Sequence, residues 1–136
     1  MKKRIFADTS YWIANLNEDD QWFEAVENVS RSLGDVEIVT TETVLIEVLN
    51  YFSGFGEKMK GFVADSVENI LNDDGVLVLL HKHKSFLQAL ELYKSRLDKG
   101  YSLTDCISMN AMREFGIPEI LTNDAHFQQE GFKKLF

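Results

Sequence analysis

The sequence has 136 residues, 45% of them hydrophobic and 26% charged, with a net charge of −8. That length suits one compact domain with its own core, residues 1–136, and the acidic balance excludes simple non-specific binding to nucleic acid through a basic surface. No apolar run is long enough for a bilayer, and the three apolar or small residues between Arg4 and Asp8 are too few for a signal-peptide core.

Residues 4–8 (RIFAD) read as a short buried strand. Thr9 or Ser10 can cap a helix over 11–16. Residues 18–33 place Trp22, Phe23, Val26, Val29 and Leu33 on one helical face. A second strand covers 37–40. Thr41 then caps a helix over 42–53 that packs through Val44, Leu45, Val48, Leu49 and Phe52. Gly54 and Gly56 end it, and a helix over about 58–71 follows. Residues 76–80 (VLVLL) are the clearest candidate for a fully buried strand. A helix over about 84–98 ends before Gly100. Thr104 caps another over 105–115, which Gly116 and Pro118 terminate. Residues 119–122 form a fourth strand, and the chain closes on a helical turn and FKKLF. Strands alternating with helices call for a mostly parallel sheet covered on both faces.

The charge is uneven. Residues 1–80 hold fifteen acids and six bases, whereas residues 81–136 hold seven acids and eight bases. A phosphate-binding face would therefore draw on Lys82, Lys84, Lys94, Arg96 and Lys99, which equally read as the solvated side of one helix. The lone Cys106 has no disulfide partner within the chain and suits a small core position in a reducing, cytoplasmic setting. His81 and His83 read as surface residues, and His126, two residues past Asp124, as a structural residue or a phosphate contact. Trp12, Trp22 and Phe23 read as packing residues or as area buried against a partner protein.

Four acids stand out by position. Asp8 ends the first strand and Asp124 follows the last, and ligands of open α/β sheets sit beyond the carboxyl ends of strands. Glu47 lies in the apolar stretch Val-Leu-Ile-Glu-Val-Leu, where a buried charge requires a partner. Glu42 lies five residues earlier and so on a different helical face. Asp105 opens a helix, where an acid also favours the helix dipole.

These residues carry a resemblance. Phe-Ala-Asp-Thr-Ser resembles the opening motif of PIN domains, and Thr-Glu-Thr-Val-Leu-Ile-Glu-Val-Leu-Asn their second, with Glu47 as its acid. Ser-Leu-Thr-Asp-Cys-Ile-Ser resembles the third, with Asp105, and Leu-Thr-Asn-Asp-Ala-His-Phe the fourth, with Asp124. The four occur in family order over nearly the whole chain. The resemblance implies a three-layer α/β fold with four to five strands in an order near 3-2-1-4-5. It also implies a metal-dependent endoribonuclease, with bacterial members that are toxins of the VapC kind. Expected partners are RNA, a small antitoxin protein and a second copy of the chain in a homodimer.

The chemistry agrees with that implication. A phosphodiester repels nucleophiles by its own charge, so carboxylates help only by holding a cation, and hard oxygen ligands suit Mg2+ or Mn2+. Two such ions about 4 Å apart can activate water and stabilise the leaving oxygen. Asp8 and Asp105 are expected as direct ligands. Asp124 and Glu47 complete the cluster, one of them orienting the attacking water. Thr9 and Asn123 are expected to support these acids or contact phosphate. Two rivals stand beside this reading. A haloacid-dehalogenase-like phosphatase would need Asp-x-Asp-x-Thr where this chain has Asp8-Thr9-Ser10. A non-catalytic PIN-fold module would bind RNA or protein without cutting.

Overall fold

The computed structural model describes residues 2–136. Among them, five strands form one sheet in the order β3-β2-β1-β4-β5, every neighbouring pair parallel. The strands are β1 (Lys3–Ala7), β2 (Val36–Thr41), β3 (Val76–Leu79), β4 (Glu119–Leu121) and β5 (Lys133–Lys134). The helices are α1 (Thr9–Leu16), α2 (Phe23–Ser32), α3 (Glu42–Phe52), α4 (Glu57–Leu71), α5 (His83–Ser95), α6 (Leu103–Phe115) and α7 (His126–Gln129). Helix α1 packs on α2 and α3, α3 on α4, and α5 on α6. Right-handed crossovers put the helices that follow β1 and β2 on one face and those that follow β3 and β4 on the other.

The core follows from the topology. β1 is central, and Ile5, Phe6 and Ala7 are almost wholly buried, as are Ile120 and Leu121 beside them. The apolar faces of α3 and α6 close over the sheet through Val44, Val48, Phe52, Met109 and Met112. Cys106 is buried among them, as its sequence position suggested.

Several expectations change in detail. β3 is not fully buried: all four of its residues are half-exposed, and Leu80 beyond it is 65% exposed. The reason is its place at the sheet edge, where it pairs with a neighbouring strand on one side only. The closing FKKLF contains a fifth strand, paired with β4 through two residues. Helix α1 starts at Thr9, so that Asp8, rather than Thr9 or Ser10, is its N-cap. Helix α2 is shorter than expected, because residues 18–22 form turns in which Asn17 and Asp20 side chains accept backbone N–H groups. Helix α6 starts at Leu103 and is capped by Ser102, not Thr104. Thr41 does cap α3, its hydroxyl accepting the Val44 N–H at 3.1 Å. Trp12 is buried and donates its indole N–H to Thr40, whereas Trp22 is 36% exposed beside Phe136.

Candidate active site

Strand order reverses between β1 and β4, so the loops leaving these two strands frame the crevice where such sheets bind ligands. Asp8 leaves β1 and Asp124 follows β4. Helix α3 brings Glu47 to the same place and the first turn of α6 brings Asp105. An open cleft of about 600 Å3 results, lined by all six residues expected from the sequence: Asp8, Thr9, Glu47, Asp105, Asn123 and Asp124. Ser10, Gly100, Ser102 and His126 also line it.

Each acid is held by its own local device. Asp8 has the extended backbone of an N-cap but makes no capping bond with its side chain. Instead its carboxylate accepts the Thr122 hydroxyl at 3.0 Å and stays directed into the cleft. A chain of bonds runs behind it. The Asn123 N–H meets Ser10 Oγ at 3.3 Å, Ser10 Oγ meets Thr122 Oγ1 at 3.2 Å, and Thr122 then donates to Asp8. Thr122 also accepts the Asp124 N–H at 3.0 Å, so one buried hydroxyl orders two of the acids. Glu47 accepts the Thr9 hydroxyl across the cleft. Glu42 faces elsewhere and accepts the His81 N–H beyond β3.

Asp105 has two tasks. Its Oδ2 accepts the Ser102 N–H at 3.0 Å while Ser102 Oγ accepts the Asp105 N–H, a reciprocal cap of α6. The same Oδ2 lies 3.3 Å from His126 Nδ1, which is also 3.3 Å from Asp124 Oδ1. Among the described residues, Asp105, Asp124 and His126 thus offer ligand atoms within 4.8 Å of one another, close enough to hold a metal ion. Carboxylate oxygens with one imidazole are a donor set that fits a divalent cation.

Burial and mutual repulsion set the electrostatics of the cluster. Burial, with Asp105 and Glu47 nearby, pushes the Asp8 carboxyl up to about 7, against the bonds from the Thr9 N–H and Thr122. Burial also raises Asp105, joined by repulsion from Asp124, while the Ser102 N–H and His126 pull the other way.

Three contributors escaped the sequence reading. Thr122 is visible only as the residue after β4, two before Asp124. His126 touches two acids, Asp105 and Asp124, a contact its sequence position does not reveal. Gly100 lies under the imidazole, where an added Cβ would come within 3.4 Å of Nε2. In the basic half, Arg96 does not face the cleft freely. It pairs with Glu130 at 2.9 Å, as Arg113 does at 2.6 Å, while Tyr101 donates to the same carboxylate.

Comparison with known proteins bears on this geometry. No curated protein matches the chain. Among solved structures, the chain is similar to that of VapC20 from Mycobacterium tuberculosis, a toxin that cleaves the sarcin–ricin loop. The two share 26% identity at a TM-score of 0.84, covering 94% of this chain and 95% of the other. The model for the PIN domain matches residues 5–133, and the chain therefore belongs to the PIN-domain family.

Proposed function

We propose that this chain is a divalent-metal-dependent endoribonuclease, using Mg2+ or Mn2+, and that it is the toxin of a toxin–antitoxin pair. The observation that carries the reading is the convergence of Asp8, Glu47, Asp105 and Asp124 in one cleft at the point where strand order reverses. Membership of the PIN family and the likeness to VapC20 support it.

Bound divalent cations would supply a nucleophilic water near neutral pH and neutralise charge on the leaving oxygen. Asp8, Asp105 and Asp124 are the residues to hold them. Thr122 fixes the carboxylate orientation of Asp8, and the capping bond from Ser102 fixes that of Asp105. Glu47, braced by Thr9, is placed to accept a proton from a water or to complete the cation shell. Asn123 lines the same wall and offers its amide to a phosphate oxygen. A small antitoxin protein would find apolar area at the exposed Ile46, Tyr51, Phe55 and Phe62 on α3, α4 and their connection.

The test is incubation of the purified chain with single-stranded RNA and with a sarcin–ricin-loop hairpin, in Mn2+, in Mg2+ and in EDTA. Cleavage with either metal and none in EDTA is expected. RNA bound but left intact in every condition would assign the chain to non-catalytic RNA binding instead.

A further inference from the structure

The imidazole of His126 stands inside the acidic cluster in a fixed orientation. Asp124 Oδ1 accepts the His126 N–H at 2.9 Å, which locks the turn into α7. Phe127, the next residue, is fully buried and anchors that turn to the core. The Tyr101 ring packs against the imidazole at a centroid distance of 5.3 Å, and the Tyr101 hydroxyl is held by Glu130. Gly100 adjoins the Nε2 edge. These contacts turn Nδ1 toward Asp105 and Asp124, at 3.3 Å from each.

Building on the metal-dependent reading above, we infer that His126 is itself a metal ligand, through Nδ1, and that it sets the site's preference for Mn2+ over Mg2+. The chemistry follows from the donor set. Mg2+ takes oxygen ligands and keeps much of its water, whereas imidazole nitrogen suits the transition metals. A cluster of carboxylates alone discriminates weakly between the two ions. One imidazole exchanged for a water raises affinity for Mn2+ and gives Mg2+ little. Tyr101 acts as a positioning residue, since its ring packs against the imidazole whose Nδ1 is directed at the acids.

The direct test is electron spin echo spectroscopy of Mn2+ bound to the protein, where a coordinated histidine nitrogen gives 14N modulation. The chain has three histidines, so the measurement uses His81→Gln/His83→Gln, which retains only His126. Nitrogen modulation in that protein, lost with 15N-histidine labelling in favour of the 15N pattern, is expected. His126→Gln should lose the modulation and lower the ratio of Mn2+ to Mg2+ affinity by about tenfold or more. Mn2+ bound in a manner that depends on Asp105 but without nitrogen modulation would overturn the role of His126 and leave the acidic metal site standing. Absence of Mn2+ binding altogether would overturn both. A merely structural His126, bridging the two carboxylates as a counterion, predicts no nitrogen modulation and an unchanged affinity ratio.

Discussion

The hydroxyl of Thr122 donates to Oδ2 of Asp8 across 114 positions of sequence, at 3.0 Å, and neither residue is more than 5% exposed. This bond joins the ends of β1 and β4, the two strands that frame the cleft. Replacing Thr122 with Val keeps the shape but leaves the Asp124 N–H without its acceptor and removes the hydroxyl donor of Asp8. A loss of about 1–3 kcal/mol in stability is expected. The bond lowers the Asp8 pKa, so its removal should move Asp8 further up. Urea unfolding and carboxyl-carbon NMR titration of Asp8 check the two effects, and Thr122→Ser should restore most of both.

Asp8 makes the metal-free protein sensitive to pH. Its carboxyl titrates at about 7 in the folded protein against 3.8 as the reference for the unfolded chain. A folded pKa raised in this way contributes stability that is fully present below pH 3.8 and is lost as pH rises through 7. The loss approaches about 4 kcal/mol. Asp8→Asn should therefore match the wild type at pH 4 and exceed it at pH 8, with both in EDTA. Parallel pH profiles for the two proteins would contradict this account of Asp8.

Asp105 separates its two tasks by substitution. Asn keeps an oxygen to accept the Ser102 N–H but removes a charge from the cluster, whereas Ala removes both. Metal-free Asp105→Asn should melt no lower than the wild type, and Asp105→Ala should lose about 1 kcal/mol with the cap. Mn2+ at about a hundred times its dissociation constant should stabilise the wild type by about 2.7 kcal/mol. That gain should shrink greatly in both variants. A full Mn2+ response in Asp105→Asn would remove the residue from the metal site.

Arg96 and Lys99 should behave differently despite lying three residues apart. Arg96 and Arg113 share Glu130, whose side chain is 6% exposed. Burial alone would raise that carboxyl, but the two guanidinium groups and Tyr101 outweigh it and hold it at about 2. Arg96→Ala should cost stability at neutral pH. Lys99 adjoins Gly100 at the cleft, and Lys99→Ala should instead reduce the salt dependence of RNA binding by about one unit of slope. Thermal melts and binding at several salt concentrations distinguish them. An unchanged slope would leave Lys99 as an ordinary solvated side chain beyond the end of α5.

Much of this site is legible in the sequence because its acids lie where chain geometry marks them: Asp8 at a strand end, Asp105 at a helix start, Asp124 after the last regular strand. The apolar setting of Glu47 marks a charge in need of a partner, and the Thr9 hydroxyl supplies one. The support behind them is not legible. The contacts of Thr122 with Asp8 and of His126 with Asp105 join residues distant in sequence, and no local pattern predicts them. The burial of β3 departs from the expectation for a similar reason. VLVLL has the composition of a central strand, and its edge position depends on sheet order rather than on its own residues. The two-residue β5 is too short to leave any periodicity.

The most direct test of the central claim is single-turnover cleavage of single-stranded RNA by the wild type and by Asp105→Asn, each in saturating Mn2+ and in EDTA. The account predicts cleavage by the wild type in Mn2+, none in EDTA, and a rate lower by about a hundredfold or more in the variant, with both proteins folded by their melts. Undiminished cleavage in EDTA, or equal rates for the two proteins in Mn2+, would contradict it.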